Sequence, residues 1–432
     1  MTAAIATERA VVEAIRRQLD EAKVSRIYRD YGNALKLISQ VVFTRSVGFV
    51  LEFLQNAEDA GLELETPGTF SLSVNEHRLK VCHNGSPFTE DNVAALCGIR
   101  SSKRPEKGSL GYLGIGFKSV FKVSDRPEIY SGGSRFKFEK SADSADSLWQ
   151  VMPIWIDEPS EPVGADLTTF IVPFRDPASY AALRGEFSRL GPQVYLFLRW
   201  INRIIVLDEP SGVVRTLTNL GTDDHGITTL KDDDREQRFR IFRAVVHVPP
   251  QVRNDRLTQD YRAGVERREI VLGFALDRAG KLSPAEAMAS YGGVYSFLPL
   301  GESKSGAAFA IQADFLVQPG RDAINHEAPW NRWLVDEVAE LCRKAIAEFV
   351  AHPAWRYQLL PMFTFSHSIG NEAYGKLFGP HLIEPIERYL ETEPCIPTAQ
   401  ESLAPLAKLV RLTEDRTAAE DLVKQDVLSW DE

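Results

Sequence analysis

Cysteine is scarce: there are four in 432 residues, at Cys82, Cys97, Cys342 and Cys395. No two stand at metal-ligand or redox spacing, so they read as small core residues of a protein in a reducing cytoplasm. Long apolar runs are missing too, which excludes a bilayer-spanning helix, and residues 1–20 form an amphipathic, charged helix pattern rather than a signal peptide. There is no positive excess: 50 Lys and Arg against 60 Asp and Glu leave a net charge of −10. That balance disfavours non-specific nucleic-acid binding by the chain as a whole, although a local basic patch is compatible with it. Also absent are internal repeats and the phosphate loop Gly-x-x-x-x-Gly-Lys-Ser/Thr. What remains is an ordinary globular composition, 44% hydrophobic and 25% charged, long enough for two or three domains.

Periodicity divides the chain. Residues 5–40 read as helical, and 47–60 as a second helix ended by Thr66-Pro67-Gly68. Alternation predicts strands over 70–74 and 78–82, joined by a turn at Asn75-Glu76-His77, then a loop at 83–87 and a short helix over 90–96. Residues 98–116 form a long loop with four basic residues and five glycines, and Phe117 opens a helix. Strands follow around 128–131, 135–139, 151–156 and 168–174. Arg175-Asp176-Pro177 marks a boundary, so the expected domains are 1–175, 176–350 and 351–432. The middle domain opens with a helix over 180–200, continues through six strands and closes on a helix over 329–350. Residues 231–236 read as a solvated, charged turn, and 351–432 as a helical region to which no chemistry is assigned.

The chemistry gathers on the second helix. Glu52, Asn56 and Asp59 lie at i, i+4 and i+7 and share one face, while Leu51, Phe53, Leu54 and Ala57 occupy the rest. Buried polar groups need partners, so this face is either satisfied by neighbouring backbone or lines a site. About 50 residues later comes Gly111-x-x-Gly114-x-Gly116-Phe117. Glycines let backbone approach phosphates, and a helix N-terminus supplies oriented N–H groups. Mg²⁺ keeps several waters and needs few protein oxygens, so Asn56 suffices as a ligand beside phosphates. Glu52, one turn earlier, is placed to orient or deprotonate a water.

These residues resemble the GHKL ATPase superfamily of gyrase B subunits, ninety-kilodalton heat-shock chaperones, histidine kinases and MutL proteins. Residues 52–60 match its Asn box, Glu-x-x-x-Asn-x-x-Asp-Ala. A closer resemblance is to sacsin-like and plant NO VEIN-like ATP-binding modules. It rests on Phe53-Leu-Gln-Asn-Ala-Glu-Asp-Ala60, His83-Asn-Gly-Ser-Pro-Phe-Thr-Glu-Asp-Asn-Val93 and Gly114-Ile-Gly-Phe-Lys-Ser-Val-Phe-Lys-Val-Ser-Asp125. Ser296-Phe-Leu-Pro299, Ala313-Asp-Phe-Leu-Val317, Gly320-Arg321 and Pro329-Trp-Asn-Arg-Trp-Leu334 extend it to residues 50–335.

The resemblance implies an α+β chain: a Bergerat sandwich of helices on a mixed sheet, then a transducer-like α/β domain and a helical C-terminal tail. It implies ATP and Mg²⁺ as cofactors, with Glu52 as general base, Asn56 as the metal ligand and Asp59 on the adenine side. Ser102 and Lys103, in a lid, approach the phosphates. Gly111, Gly114, Ile115, Gly116 and Phe117 give further contacts to the nucleotide, and Thr168 holds the adenine through water. Arg321 matches an arginine that reaches the γ-phosphate.

The sequence departs from the family where an aspartate usually accepts the adenine amino group. His83, Asn84 and Gly85 stand there, and Pro87 and Phe88 replace the second glycine and its apolar neighbour. Neutral His83 can accept through one nitrogen and Asn84 through its carbonyl. Lys118 reads as a helix-surface or acid-paired lysine or as a phosphate ligand, and Trp330 and Trp333 read as core. The expected activity is an ATP-driven switch or remodeller with protein partners, an ATP-dependent homodimer and no membrane. Bacterial defence or DNA processing is the context implied, with any nucleic-acid role indirect. A sacsin-like chaperone acting on client proteins and a non-hydrolysing nucleotide sensor are the alternatives. A sensor histidine kinase is disfavoured, because no helix pairs a phospho-acceptor His with a dimerisation pattern ahead of the ATP fold.

Overall fold

The computed structural model describes residues 2–22, 49–98, 116–140, 148–189, 191, 194, 196–284, 293–300, 303–318, 323–366, 372–398 and 400–409. The fold is α+β with extensive mixed sheet. Residues group into two compact units, Met1–Asn219 with Lys231–Arg235, and Leu220–Leu230 with Glu236–Glu432. The boundary expected at residue 176 is therefore displaced, because strand Ile201–Asp208 pairs in parallel with Gly68–Val74 and belongs to the first unit.

In the first unit, helix α1 (Thr2–Ala22) is followed by α2 (Phe49–Gly61). A hairpin of β1 (Gly68–Val74) and β2 (Arg78–His83) comes next. Its turn forms because the Asn75 side-chain carbonyl accepts the N–H groups of His77 and Arg78. Helix α3 (Glu90–Leu96) starts at Thr89 with a capping box closed by Asn92. The expected helix at Phe117 is a tighter 3-10 segment, Gly116–Lys122. The chain continues through β3 (Glu128–Ser131), β4 (Ser134–Lys137), β5 (Ile154–Trp155), β6 (Thr168–Pro173), α4 (Ala178–Arg189), β7 (Ile201–Asp208) and β8 (Val213–Thr222). The strands lie in the order β8-β7-β1-β2-β6-β3-β4-β5, antiparallel except for β1 with β7. The expected helix over 180–200 ends at Arg189, close to the breakers Gly191-Pro192.

Register defines the sheet face that matters. Phe70, His83 and Thr168 are direct cross-strand neighbours, as are Leu72, Val81 and Phe170, and then Val74, Leu79 and Val172. All nine are buried. Paired residues point to one face. On that face Phe53 of α2 packs on Phe170 with ring centroids 4.6 Å apart, and Phe117 of the 3-10 segment lies 6.0 Å from the same ring.

In the chain β8 is followed by β9 (Ile227–Asp232), and in the second unit five further strands lie side by side in the order β13-β12-β14-β11-β10. They are β10 (Arg235–His247), β11 (Arg267–Leu276), β12 (Val294–Ser296), β13 (Leu298–Pro299) and β14 (Ala310–Gln312). The strand expected over 294–300 breaks at Phe297, whose φ of 65° ends the extended run. Helix α5 (Pro329–Ala351) carries the expected apolar side, and Trp330 and Trp333 are core residues as expected. The motif Pro329-Trp-Asn-Arg-Trp-Leu334 has a structural job. Trp330 donates its indole N–H to the Asp314 carbonyl at 2.8 Å, and fully buried Asn331 exchanges bonds of 2.8 and 2.7 Å with the Leu316 backbone. The Asp314 carboxylate takes a bidentate pair from Arg262 and a further bond from Arg268. Residues 351–409 belong to this unit; their π-helical segment Tyr374–Ile383 buries Leu377, Phe378, Leu382 and Ile383.

Three of the described strands escaped the sequence reading: Ile227–Asp232, and the short antiparallel pair Ile396–Pro397 and Leu403–Ala404 inside the region read as helical. The charged run 231–236 does turn at its centre, but Asp232 pairs bidentately with Arg215 and Asp233 accepts the Thr216 N–H, so it is pinned as well as solvated.

Candidate functional site

Helix α2 puts Glu52, Asn56 and Asp59 at half-buried positions and buries Phe53, Leu54 and Ala57. A further acidic residue on this helix was not read as functional. Glu58 is 1% exposed. Its carboxylate accepts the backbone N–H groups of Arg199, Trp200 (2.9 Å) and Ile201 (2.8 Å) at the start of β7. Burial pushes the Glu58 carboxyl up, and the three N–H bonds oppose that rise. Close by, Gly61 faces the Trp200 ring; an added Cβ would fall 1.7 Å from it. The Trp200 indole N–H donates to the Thr66 carbonyl at 2.7 Å. Glu58 and Trp200 therefore fix the axial position of α2, and with it the polar face. The signal available in the sequence was a carboxylate away from the Glu52–Asn56–Asp59 face of an otherwise apolar helix. Glu58→Ala leaves three backbone donors without an acceptor and should cost roughly 3 kcal/mol, measured as a lowered urea midpoint of the full chain.

The end of β2 turns under the C-terminus of α2. The Ser86 N–H donates to the Ala60 carbonyl at 2.9 Å, and a Cβ on Gly85 would meet Ala60 Cβ at 2.9 Å, so this close approach needs glycine. His83 is 3% exposed, and its Nδ1 accepts the Gly85 N–H at 3.2 Å. Burial pushes its pKa down to about 4. The folded state thus resists protonating His83, while the unfolded chain protonates near 6.5. Its contribution to stability is full above pH 6.5, is lost as the pH falls to about 4, and amounts to about 3 kcal/mol. A pH series of urea midpoints should show this loss in the wild type, with a smaller loss over the same window in His83→Gln.

Asn84 ties the end of β2 to the start of β1. Its carbonyl accepts the Thr69 N–H at 2.7 Å and its amide donates to the Pro67 carbonyl at 3.0 Å, which pins the start of β1. Phe88 donates its backbone N–H to Ser131 Oγ at 2.9 Å, and its ring lies 6.1 Å from that of Phe170. Ser131 Oγ also shares a 2.6 Å hydrogen bond with Thr168 Oγ1, and Thr168 is 1% exposed. The structure thus brings together α2, His83, Gly85, Phe88, Thr168 and the 3-10 segment that begins at Gly116-Phe117. Ser102, Lys103, Gly111, Gly114, Ile115 and Arg321 lie outside the described residues.

Lys118 is neither a surface nor an acid-paired lysine. It is 2% exposed and donates to the Leu96 carbonyl and, at 2.9 Å, to that of Gln150. Its ammonium stands 5.2 Å from the Phe138 ring centre and 5.6 Å from that of Phe121. Burial pushes its pKa down to about 8. Leu96 is the last residue of α3, so this ammonium also complements that helix's carbonyl end. Lys118 joins Leu96 at the end of α3 to Gln150 through its two carbonyl contacts. Among the described residues no group of three or more His, Cys, Asp or Glu could hold a metal ion, and no helix is long and apolar enough to cross a membrane.

No family model matches this chain. It is similar to Protein NO VEIN of Arabidopsis thaliana, 28% identical over 353 residues that cover 76% of this chain and 12% of that protein. The matched stretch therefore spans only about an eighth of that relative's length.

Proposed function

We propose that this chain is a Mg²⁺-dependent ATPase of the GHKL type, a nucleotide-driven switch that works with protein partners. The observation that carries this reading is a single convergence in the first unit. The half-buried Glu52–Asn56–Asp59 face belongs to the helix packed on the sheet face that bears His83 and Thr168, where Gly85 passes against the helix end. The similarity to one stretch of NO VEIN agrees with a module that recurs inside a larger protein. In this reading the first unit is the Bergerat sandwich and the second serves as transducer.

The residues present fit the roles. Asn56 offers a neutral amide oxygen, which suits a hard cation that takes its remaining ligands from phosphates and water. Mg²⁺, when bound, would neutralise charge on the phosphates. Glu52, one helical turn from Asn56, takes the proton of the attacking water. Glu58 and Trp200 hold both residues at a fixed height over the sheet. Lid closure over the nucleotide couples the site to the partner.

The experiment is titration of the full chain with ATP in Mg²⁺, followed by phosphate release. Saturable binding with turnover supports the reading. Binding without turnover identifies a nucleotide sensor instead, and a chain that neither binds nor hydrolyses any nucleotide refutes the reading.

A further inference from the structure

We propose that Lys118 is a positioning residue for nucleotide hydrolysis: its buried ammonium ties the 3-10 segment in place and, through Phe117, sets the helix that carries Glu52 and Asn56. The proposal rests on the ATPase reading and adds to it a residue that acts through another.

Lys118 holds a charge where charge is costly. It is 2% exposed, and among the described residues no carboxylate pairs with it. Its ammonium donates to the carbonyls of Leu96 and, at 2.9 Å, Gln150. Around it lie three rings, with the centres of Phe138, Phe121 and Phe117 at 5.2, 5.6 and 6.0 Å. Desolvation pushes its pKa down to about 8, so at neutral pH folding carries the cost of burying the cation. Packing alone does not call for a cation here. Methionine fills a similar length of cage, makes favourable contacts with rings and brings no charge. What methionine lacks is the pair of directed bonds. Polar groups held at a cost to folding concentrate where function needs them.

The segment that these bonds hold bears on α2. Lys118 follows Phe117, whose ring packs on Phe53 of α2 at 6.3 Å and on Phe170 of β6 at 6.0 Å. Phe53 directly follows Glu52 and stands three residues before Asn56. Leu96 ends α3, and Gln150 lies in a turn closed by the Val151 N–H on the Leu148 carbonyl at 3.0 Å. The ammonium thus ties three separate stretches of the first unit, one ring away from the helix face assigned to catalysis. Toward the other end of the segment, Arg175 donates to the Phe121 carbonyl at 3.0 Å. Cutting the Lys118 bonds therefore frees the end that bears Phe117. Glu58 fixes the C-terminal half of α2, and Phe117 bears on the N-terminal half, where Glu52 lies.

The experiment compares wild type with Lys118→Met on the full chain. Phosphate release is followed over a range of ATP concentrations in Mg²⁺, stability by the urea midpoint, and amide exchange without nucleotide. The expected result is a urea midpoint no lower than that of wild type, with kcat reduced by about tenfold to a hundredfold. Nucleotide affinity should stay within about threefold of wild type, because proton transfer from water demands tighter geometry than binding does. Exchange should quicken in Phe49–Gly61 and Gly116–Lys122 and keep the wild-type rate in Arg78–His83. A lowered urea midpoint with unchanged turnover per folded molecule assigns Lys118 to stability alone and overturns the proposal, as does a variant that fails to fold. Unchanged kcat beside an active wild type overturns the role of Lys118 and leaves the ATPase standing. An inactive wild type overturns both.

Discussion

Glu52→Ala should lower ATP turnover by on the order of 10³-fold while changing nucleotide affinity by less than about threefold. The split follows from position. Glu52 shares a helix face with Asn56 and Asp59, one turn before the residue assigned to the metal, and all three are half-buried. A carboxylate used only to take a proton from water acts in the transition state and adds little to ground-state binding. Phe53, Leu54 and Glu58 hold the helix in place, so truncation at Glu52 leaves its course unchanged. Glu52→Gln, which keeps the shape and removes the base, should match Glu52→Ala in turnover. Steady-state phosphate release beside equilibrium binding separates the two quantities. Unchanged turnover in both variants would remove Glu52 from the mechanism.

The second large effect is expected at Asn56. Asn56→Ala should weaken nucleotide binding in Mg²⁺ by about 100-fold, and the difference from wild type should vanish in EDTA. The metal dependence is the diagnostic feature. A residue that touches only the base or sugar would weaken binding equally with and without the ion. Asn56→Asp adds a charge and should retain metal-dependent binding, since Mg²⁺ accepts either oxygen donor. Equal losses in Mg²⁺ and EDTA would assign Asn56 to a different contact.

Much of the architecture around this site could be read locally. Helix α2, the β1–β2 hairpin with its Asn75 turn and the short helix after Thr89 all follow from nearby residues, because periodicity and capping act over a few positions. What could not be read depends on distant partners. The parallel pairing of β1 with β7 joins segments more than a hundred residues apart in the chain, and it moves the domain boundary past residue 176. Asn84-Gly85 looks like a loop at a strand end, and the two bonds that commit its amide come from residues 67 and 69. Lys118 sits in a pattern that reads as a helix face, yet carbonyls of Leu96 and Gln150 draw it inside. Glu58 was hidden by its neighbours: inside Asn-Ala-Glu-Asp-Ala the eye goes to Asn56 and Asp59, while the most buried carboxylate on the helix serves the backbone at 199–201.

The motif Pro329-Trp-Asn-Arg-Trp-Leu334 illustrates the converse. Trp330 and Asn331 resemble a functional motif, but their hydrogen bonds go to the backbone of residues 314, 316 and 325, and the Trp333 indole donates to the Glu337 carboxylate. Their chemistry is spent on holding the backbone of Asp314, Leu316 and Asn325 against the helix.

Hydrogen exchange of the full chain, with and without saturating ATP and Mg²⁺, tests the central claim most directly. Nucleotide over the α2 face should slow exchange in Phe49–Gly61, at residues 83–88 and in Gly116–Lys122, with half-maximal protection at the nucleotide concentration that half-saturates binding. Binding that leaves all three segments unprotected, or protection confined to the second unit, would contradict it.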